Sequence, residues 1–134
     1  YGEADFHRLT DWMRGEFARA GAPLTGVYWC PHHPQEAIGP YRCDCRCRKP
    51  APGMLLDAAR DHGLALDRSL MFGDKRSDLE AAQAAGVPQR VLLGLNGEAM
   101  PDAARLGSLA TGAFRSLAEA VDALGDQRLE RSTA

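Results

Sequence analysis

The sequence lacks an excess of charge of either sign: 16 Lys and Arg stand against 18 Asp and Glu over 134 residues, a formal charge of -2. That balance excludes the global basic field of a general nucleic-acid binder and the acidic excess of a disordered chain, so partners must be recognised locally. No apolar run approaches the roughly 18 to 20 residues that span a bilayer, and no charged-then-apolar leader opens the chain. A cytoplasmic protein without a membrane partner is expected. Cysteine is absent outside residues 30–47, which argues against a disulfide framework, since such a framework would staple distant segments. The first residue is Tyr1 instead of Met, a few residues ahead of an amphipathic helix, so the start is expected to be cut, with a segment upstream. What remains, 45% hydrophobic and 25% charged, is ordinary for one soluble domain with a core.

Phe6, Leu9, Met13 and Phe17 recur at helical spacing and predict a helix stopped by Gly21 and Pro23. Gly26-Val27-Tyr28-Trp29-Cys30 reads as a buried strand. Residues 31–52 permit little regular structure. Met54, Leu55, Leu56, Ala58 and Ala59 predict a second helix, entered through Pro52-Gly53 and closed by Gly63. Ser69-Leu70-Met71-Phe72 predicts a strand ending at Gly73-Asp74. A helix follows, capped by Ser77 or Asp78 and ended by Gly86, and then a strand at 90–93. The Ser116-Leu117-Ala118-Glu119 capping box leads into a last helix, and a polar tail is expected over 125–134. Strands alternating with helices imply an α/β fold with a parallel sheet in a single domain over 1–124, its ligands bound at the carboxyl ends of the strands.

Four cysteines fall at 30, 43, 45 and 47, beside His32 and His33. Two pairs of soft ligands a dozen residues apart suit a closed, tetrahedral structural zinc site, which would fold a loop spanning 30–49 that is too short to bury its own core. Cys30, His32, Cys45 and Cys47 are the first choice. Cys43 can replace one of them, because the Cys43/Cys45 gap equals the Cys45/Cys47 gap.

Arg42, Arg46, Arg48 and Lys49 outnumber the lone Asp44 in the same stretch, a local patch that attracts an anion. Arg48 and Lys49 directly follow the last cysteine, where a zinc-fixed loop would present them with little entropic cost. Asp74, after an apolar strand and a glycine, is placed to meet magnesium, which takes one or two carboxylates and shares phosphate oxygens with its substrate. Lys75 would point at the same anion, and Asp78, four residues on, either supports the loop or caps the helix. A zinc-knuckle contacting nucleic-acid phosphates is disfavoured, because Tyr41 alone is aromatic among these cations.

Taken together, Cys30-Pro31-His32-His33-Pro34, Cys45-x-Cys47-Arg48-Lys49-Pro50 and Phe72-Gly73-Asp74-Lys75-x-x-Asp78 resemble the D-glycero-D-manno-heptose 1,7-bisphosphate 7-phosphatases of the haloacid-dehalogenase superfamily. The histidinol-phosphate phosphatases are close relatives of that family. The resemblance implies a Rossmann-like sheet of the haloacid-dehalogenase type with a zinc-binding loop insertion. It also implies Mg²⁺-dependent hydrolysis of a phosphomonoester on a sugar bisphosphate through an aspartyl-phosphate. It assigns zinc to Cys30, His32, Cys45 and Cys47, the direct Cys-Arg-Lys-Pro junction favouring Cys45 and Cys47 over Cys43. It assigns substrate recognition to Arg48, phosphoryl stabilisation to Lys49, magnesium to Asp74 and a substrate contact to Lys75. The family's Asp-x-Asp nucleophile motif after an apolar strand has no counterpart in these 134 residues, so the nucleophile is expected upstream and the chain alone is expected to be inactive. A monomer is expected, with a small phosphorylated sugar as partner. The alternatives are histidinol-phosphate phosphatase activity and an inactive zinc-binding fragment.

Overall fold

The computed structural model describes residues 2–30, 47–94 and 103–133, the stretch from 126 onward by backbone alone. The chain order is α1 (Glu3–Arg19), α2 (Gly53–His62), β1 (Leu70–Gly73), α3 (Arg76–Ala84), β2 (Gln89–Leu93), β3 (Gly112–Phe114) and α4 (Leu117–Thr133). Short 3-10 turns lie at Leu66–Arg68 and Ala103–Leu109. Among the described residues no helix is long and apolar enough to cross a membrane.

The sheet is parallel, in the order β1-β2-β3, with Phe72 opposite Val91 and Leu92 opposite Ala113. Successive side chains of a strand point to opposite faces. Val91 and Leu92 are nonetheless both buried, so β2 is covered on both sides as a parallel strand requires. On the Leu92 side, Leu79 of α3 and Leu109 form the core, with Leu106, Ala110 and Ala113 packed around them. Ala81 and Ala82 are fully buried, the small side chains letting α3 sit close to the strands. Gly63 closes α2 in the left-handed region at φ 64, where a Cβ would be strained.

Arg90, at the start of β2, ties the sheet to the crossover that leads into β3. Its guanidinium donates to the carbonyls of Val87 (2.8 Å), Leu109 (2.8 Å) and Ser108 (3.1 Å). Its backbone N–H donates to Thr111 Oγ1 at 2.8 Å, and Thr111 N–H returns a bond to the Arg90 carbonyl at 2.8 Å. One side chain thereby satisfies three backbone acceptors where the chain changes direction at the kinked Gly107.

Three expectations change. Residues 26–30 form no strand: their composition suits one, but a strand exists only where a neighbour completes its ladder, and among the described residues none does. They are held instead by side chains, the Tyr28 hydroxyl donating to Asp61 at 2.7 Å and its ring meeting His62 edge-on. Neither Ser77 nor Asp78 is the N-cap of α3. That position is Lys75, and Asp78 sits at the third helical residue, reaching back to the loop. The backbone of α4 runs to Thr133, through the stretch first read as a polar tail, whose Gln, Glu and Arg residues are good helix formers. The zinc loop lies almost wholly outside the described residues.

Candidate functional site

The site gathers at the carboxyl end of β1. Gly73 ends the strand against α3, and a Cβ there would lie 2.4 Å from Asp78 Cβ and 2.8 Å from Asp78 Oδ2. Only a glycine lets the helix start so close. The gain is that Asp78, nearly sealed from solvent, turns back under the loop: its Oδ2 accepts the N–H of Asp74 (3.1 Å) and of Lys75 (3.2 Å). Its Oδ1 pairs with Lys49 Nζ, which arrives from the turn before α2, 29 residues away in sequence.

Each oxygen of Asp78 is therefore committed. Burial alone would push its carboxyl up. The hydrogen bond and charge of Lys49 and the N–H groups of Lys75 and Asp74 outweigh that and hold it below the usual carboxylate range. Asp78 is thus an ionised anchor that fixes both the Asp74-Lys75 loop and Lys49. Asp74, by contrast, is the exposed carboxylate at this edge. An exposed hard oxygen donor at a strand end, beside cations that would share an anion, fits magnesium. Among the described residues there is no cluster of three metal-ligating side chains, so other ligands of such an ion would come from elsewhere.

A cleft of about 340 Å³ opens beside these groups, lined by Tyr28, Trp29, Cys30, Arg48, Lys49, Met54, Lys75 and Ser77. Arg48 and Lys75 make no ion pair with a described residue, whereas Lys49 is tied to Asp78. Among the described residues these two cations are uncompensated, the condition for holding an anion. The structure brings Arg48, Lys49, Asp74, Lys75 and Asp78 to one place. Cys30 and Cys47, the two described members of the expected zinc set, are half-buried. His32, Cys45 and Cys43 lie outside the described residues.

Sequence reasoning did not single out Tyr28, Trp29, Met54 or Ser77 as site residues. The signal for the first two was their position just before Cys30, at the end of a run facing the same edge as Asp74. A second, mostly apolar cavity of about 220 Å³ lies between α2 and β1, bounded by Met54, Leu55, Ala58, Met71 and Ala81, with Lys49 crossing between the two.

A parallel sheet with a carboxylate loop and a lysine at its carboxyl edge defines a class, and the comparisons agree on which. The family model of the haloacid-dehalogenase (HAD)-like hydrolases matches residues 46–120, and the chain belongs to that family. Within it, the chain is 47% identical over 116 residues to the D-glycero-alpha-D-manno-heptose-1,7-bisphosphate 7-phosphatase of Burkholderia mallei, covering 87% of this chain and 59% of that protein. Among solved structures, a HAD-like phosphatase of Mesorhizobium loti superposes with a TM-score of 0.66 at 30% identity, over 81% of this chain and 56% of that one. The D,D-heptose 1,7-bisphosphate phosphatase of B. bronchiseptica, complexed with magnesium and phosphate, gives 0.57 at 33% identity, over 68% and 46%. The chain thus spans about three fifths or less of the length of these relatives.

Proposed function

We propose that these residues form the metal- and phosphate-holding part of a Mg²⁺-dependent phosphomonoester hydrolase that removes the 7-phosphate of D-glycero-D-manno-heptose 1,7-bisphosphate. The observation that carries this reading is Asp78, which holds Lys49 and the Asp74-Lys75 loop around one positively charged cleft. The names of the relatives supply the substrate.

In this reading the attacking carboxylate is supplied by a part of the protein that these 134 residues do not span. It attacks phosphorus in line, the bond to the sugar oxygen breaks, and water then hydrolyses the aspartyl-phosphate. Lys49 presents its ammonium to the equatorial oxygens, where charge resides during phosphoryl transfer. Because Asp78 fixes that ammonium beforehand, little reorganisation is needed when the substrate arrives. Arg48 and Lys75 hold the anionic substrate, the guanidinium in bidentate fashion. Asp74 would hold magnesium, which when bound neutralises phosphate charge and orients the group for attack. Zinc at Cys30, His32, Cys45 and Cys47 would fold the loop between the first and last of these residues and so place Arg48 and Lys49. Soft donors at the two ends of that loop, with a histidine and a further thiol between them in the sequence, support this donor set.

The test is phosphate release from the heptose bisphosphate by a protein carrying these residues together with the remaining length of the relatives. Release from C7 is expected, with Lys49→Ala and Asp74→Asn each lowering kcat/KM by about 10²-fold or more. Preferential turnover of histidinol phosphate, or wild-type rates in both variants, would overturn the assignment. The 134-residue chain alone should turn over nothing.

A further inference from the structure

The cations of the cleft account for phosphate, but nothing in them distinguishes a sugar phosphate from inorganic phosphate. Two aromatic residues, Tyr28 and Trp29, also line the cleft, and both rings are held by neighbours. Trp29 stacks on Phe6 of α1, ring centroids 4.2 Å apart and planes within 24°, and His7 meets it edge-on at 6.0 Å. Trp29 also lines the cleft, with Arg48, Lys49 and Lys75. Tyr28 beside it points its hydroxyl away to Asp61, so the phenol is likewise held in place.

Phe6 of α1 is half-buried and stacks on Trp29. A ring held in place before the ligand arrives lowers the ordering cost of binding. Small-molecule sites combine apolar and aromatic walls with a few polar groups that fix orientation, and about 340 Å³ is enough for a small ligand.

We propose that Trp29, braced by Phe6, is a specificity-determining residue that packs against the carbon skeleton of the phosphorylated sugar while the cations take its phosphates. This rests on the reading of the cleft as a sugar-phosphate site. Trp29 touches the substrate; Phe6 is a positioning residue acting through it. Inorganic phosphate is too small to need the aromatic wall, so the two residues should matter only for ligands with a carbon skeleton.

The experiment is calorimetric titration of a protein carrying these residues together with the remaining length of the relatives, with Mg²⁺ present, using inorganic phosphate and a non-hydrolysable phosphonate analogue of the heptose bisphosphate in parallel. Tryptophan fluorescence is read alongside, Trp12 being the other indole of these 134 residues. Trp29→Ala and Phe6→Ala should weaken the bisphosphate by about five- to tenfold and leave inorganic phosphate within about twofold. Trp29→Phe should retain bisphosphate affinity, showing that the fold and the aromatic plane suffice. The fluorescence change on bisphosphate binding should vanish in Trp29→Phe and persist in Trp12→Phe. Equal losses for both ligands, or none for either, would overturn the role of Trp29 and leave the phosphate site standing. A wild-type protein of that length that binds neither ligand would overturn the phosphate site and this inference together.

Discussion

Replacing Asp78 by alanine removes a carboxylate whose two oxygens hold Lys49 and the N–H groups of Asp74 and Lys75. A charge-assisted hydrogen bond contributes about 1.5–3 kcal/mol when buried. The Lys49 side chain is 42% exposed and can turn to water, so its share falls toward the roughly 1 kcal/mol of a surface pair. The two loop N–H groups at 3.1 and 3.2 Å add about 1 kcal/mol each. The total is about 2–3 kcal/mol, a drop in Tm on the order of 10 °C for a domain of this size. Asn at this position keeps one acceptor and should lose about half of that. The pH dependence identifies the cause. A carboxyl held below its ordinary range contributes stability above the unfolded pKa of about 3.9 and loses it as pH falls through the lower, folded value. The stability gap between wild type and Asp78→Asn, measured by urea unfolding in magnesium-free buffer, should therefore be widest near neutrality and close on acidification below about pH 4. A gap that stays constant across that window would show that Asp78 acts by packing, and the electrostatic anchor would have to be abandoned.

Other consequences are open to equally direct measurement. Gly73→Ala forces a methyl to 2.4 Å from Asp78 Cβ, and thermal unfolding should show a loss of about 1–3 kcal/mol. Arg90→Ala strands the carbonyls of Val87, Ser108 and Leu109 and should cost about 2–3 kcal/mol, with Arg90→Lys recovering only part of it. If zinc folds the loop that begins at Cys30 and ends at Cys47, a strong chelator should lower Tm and release about one equivalent of zinc per chain. Cys47→Ser should mimic that loss, and an unchanged melt would dismiss the ligand set.

The elements that could be read from sequence are those whose signals are local. The apolar runs at 69–72 and 90–93, bounded by glycines and turn residues, became β1 and β2. The Pro52-Gly53 entry and the Gly63 exit framed α2 within a residue or so. What escaped is decided by neighbours. Residues 26–30 have strand composition but no ladder partner among the described residues. Gly112–Phe114 has weak composition yet forms β3, because the edge of β2 offers it backbone partners from Val91 to Leu93. The site divides in the same way. The run Gly73-Asp74-Lys75 and the position of Arg48-Lys49 were visible as motifs on loops. Loop support by Asp78 was one of two readings that its four-residue spacing allowed, and its bonds to the Asp74 and Lys75 N–H groups decide for it; that it would also hold Lys49 could not be seen, because Lys49 is distant in sequence.

The central claim is that Asp74 and Lys49 together hold magnesium and phosphate at the end of β1. Phosphorus NMR of inorganic phosphate titrated with a protein carrying these residues together with the remaining length of the relatives, with and without Mg²⁺, tests it most directly. The account predicts Mg²⁺-dependent binding that weakens at least about tenfold in Asp74→Asn and in Lys49→Ala. Binding that needs no magnesium, or that survives both substitutions unchanged, would contradict it.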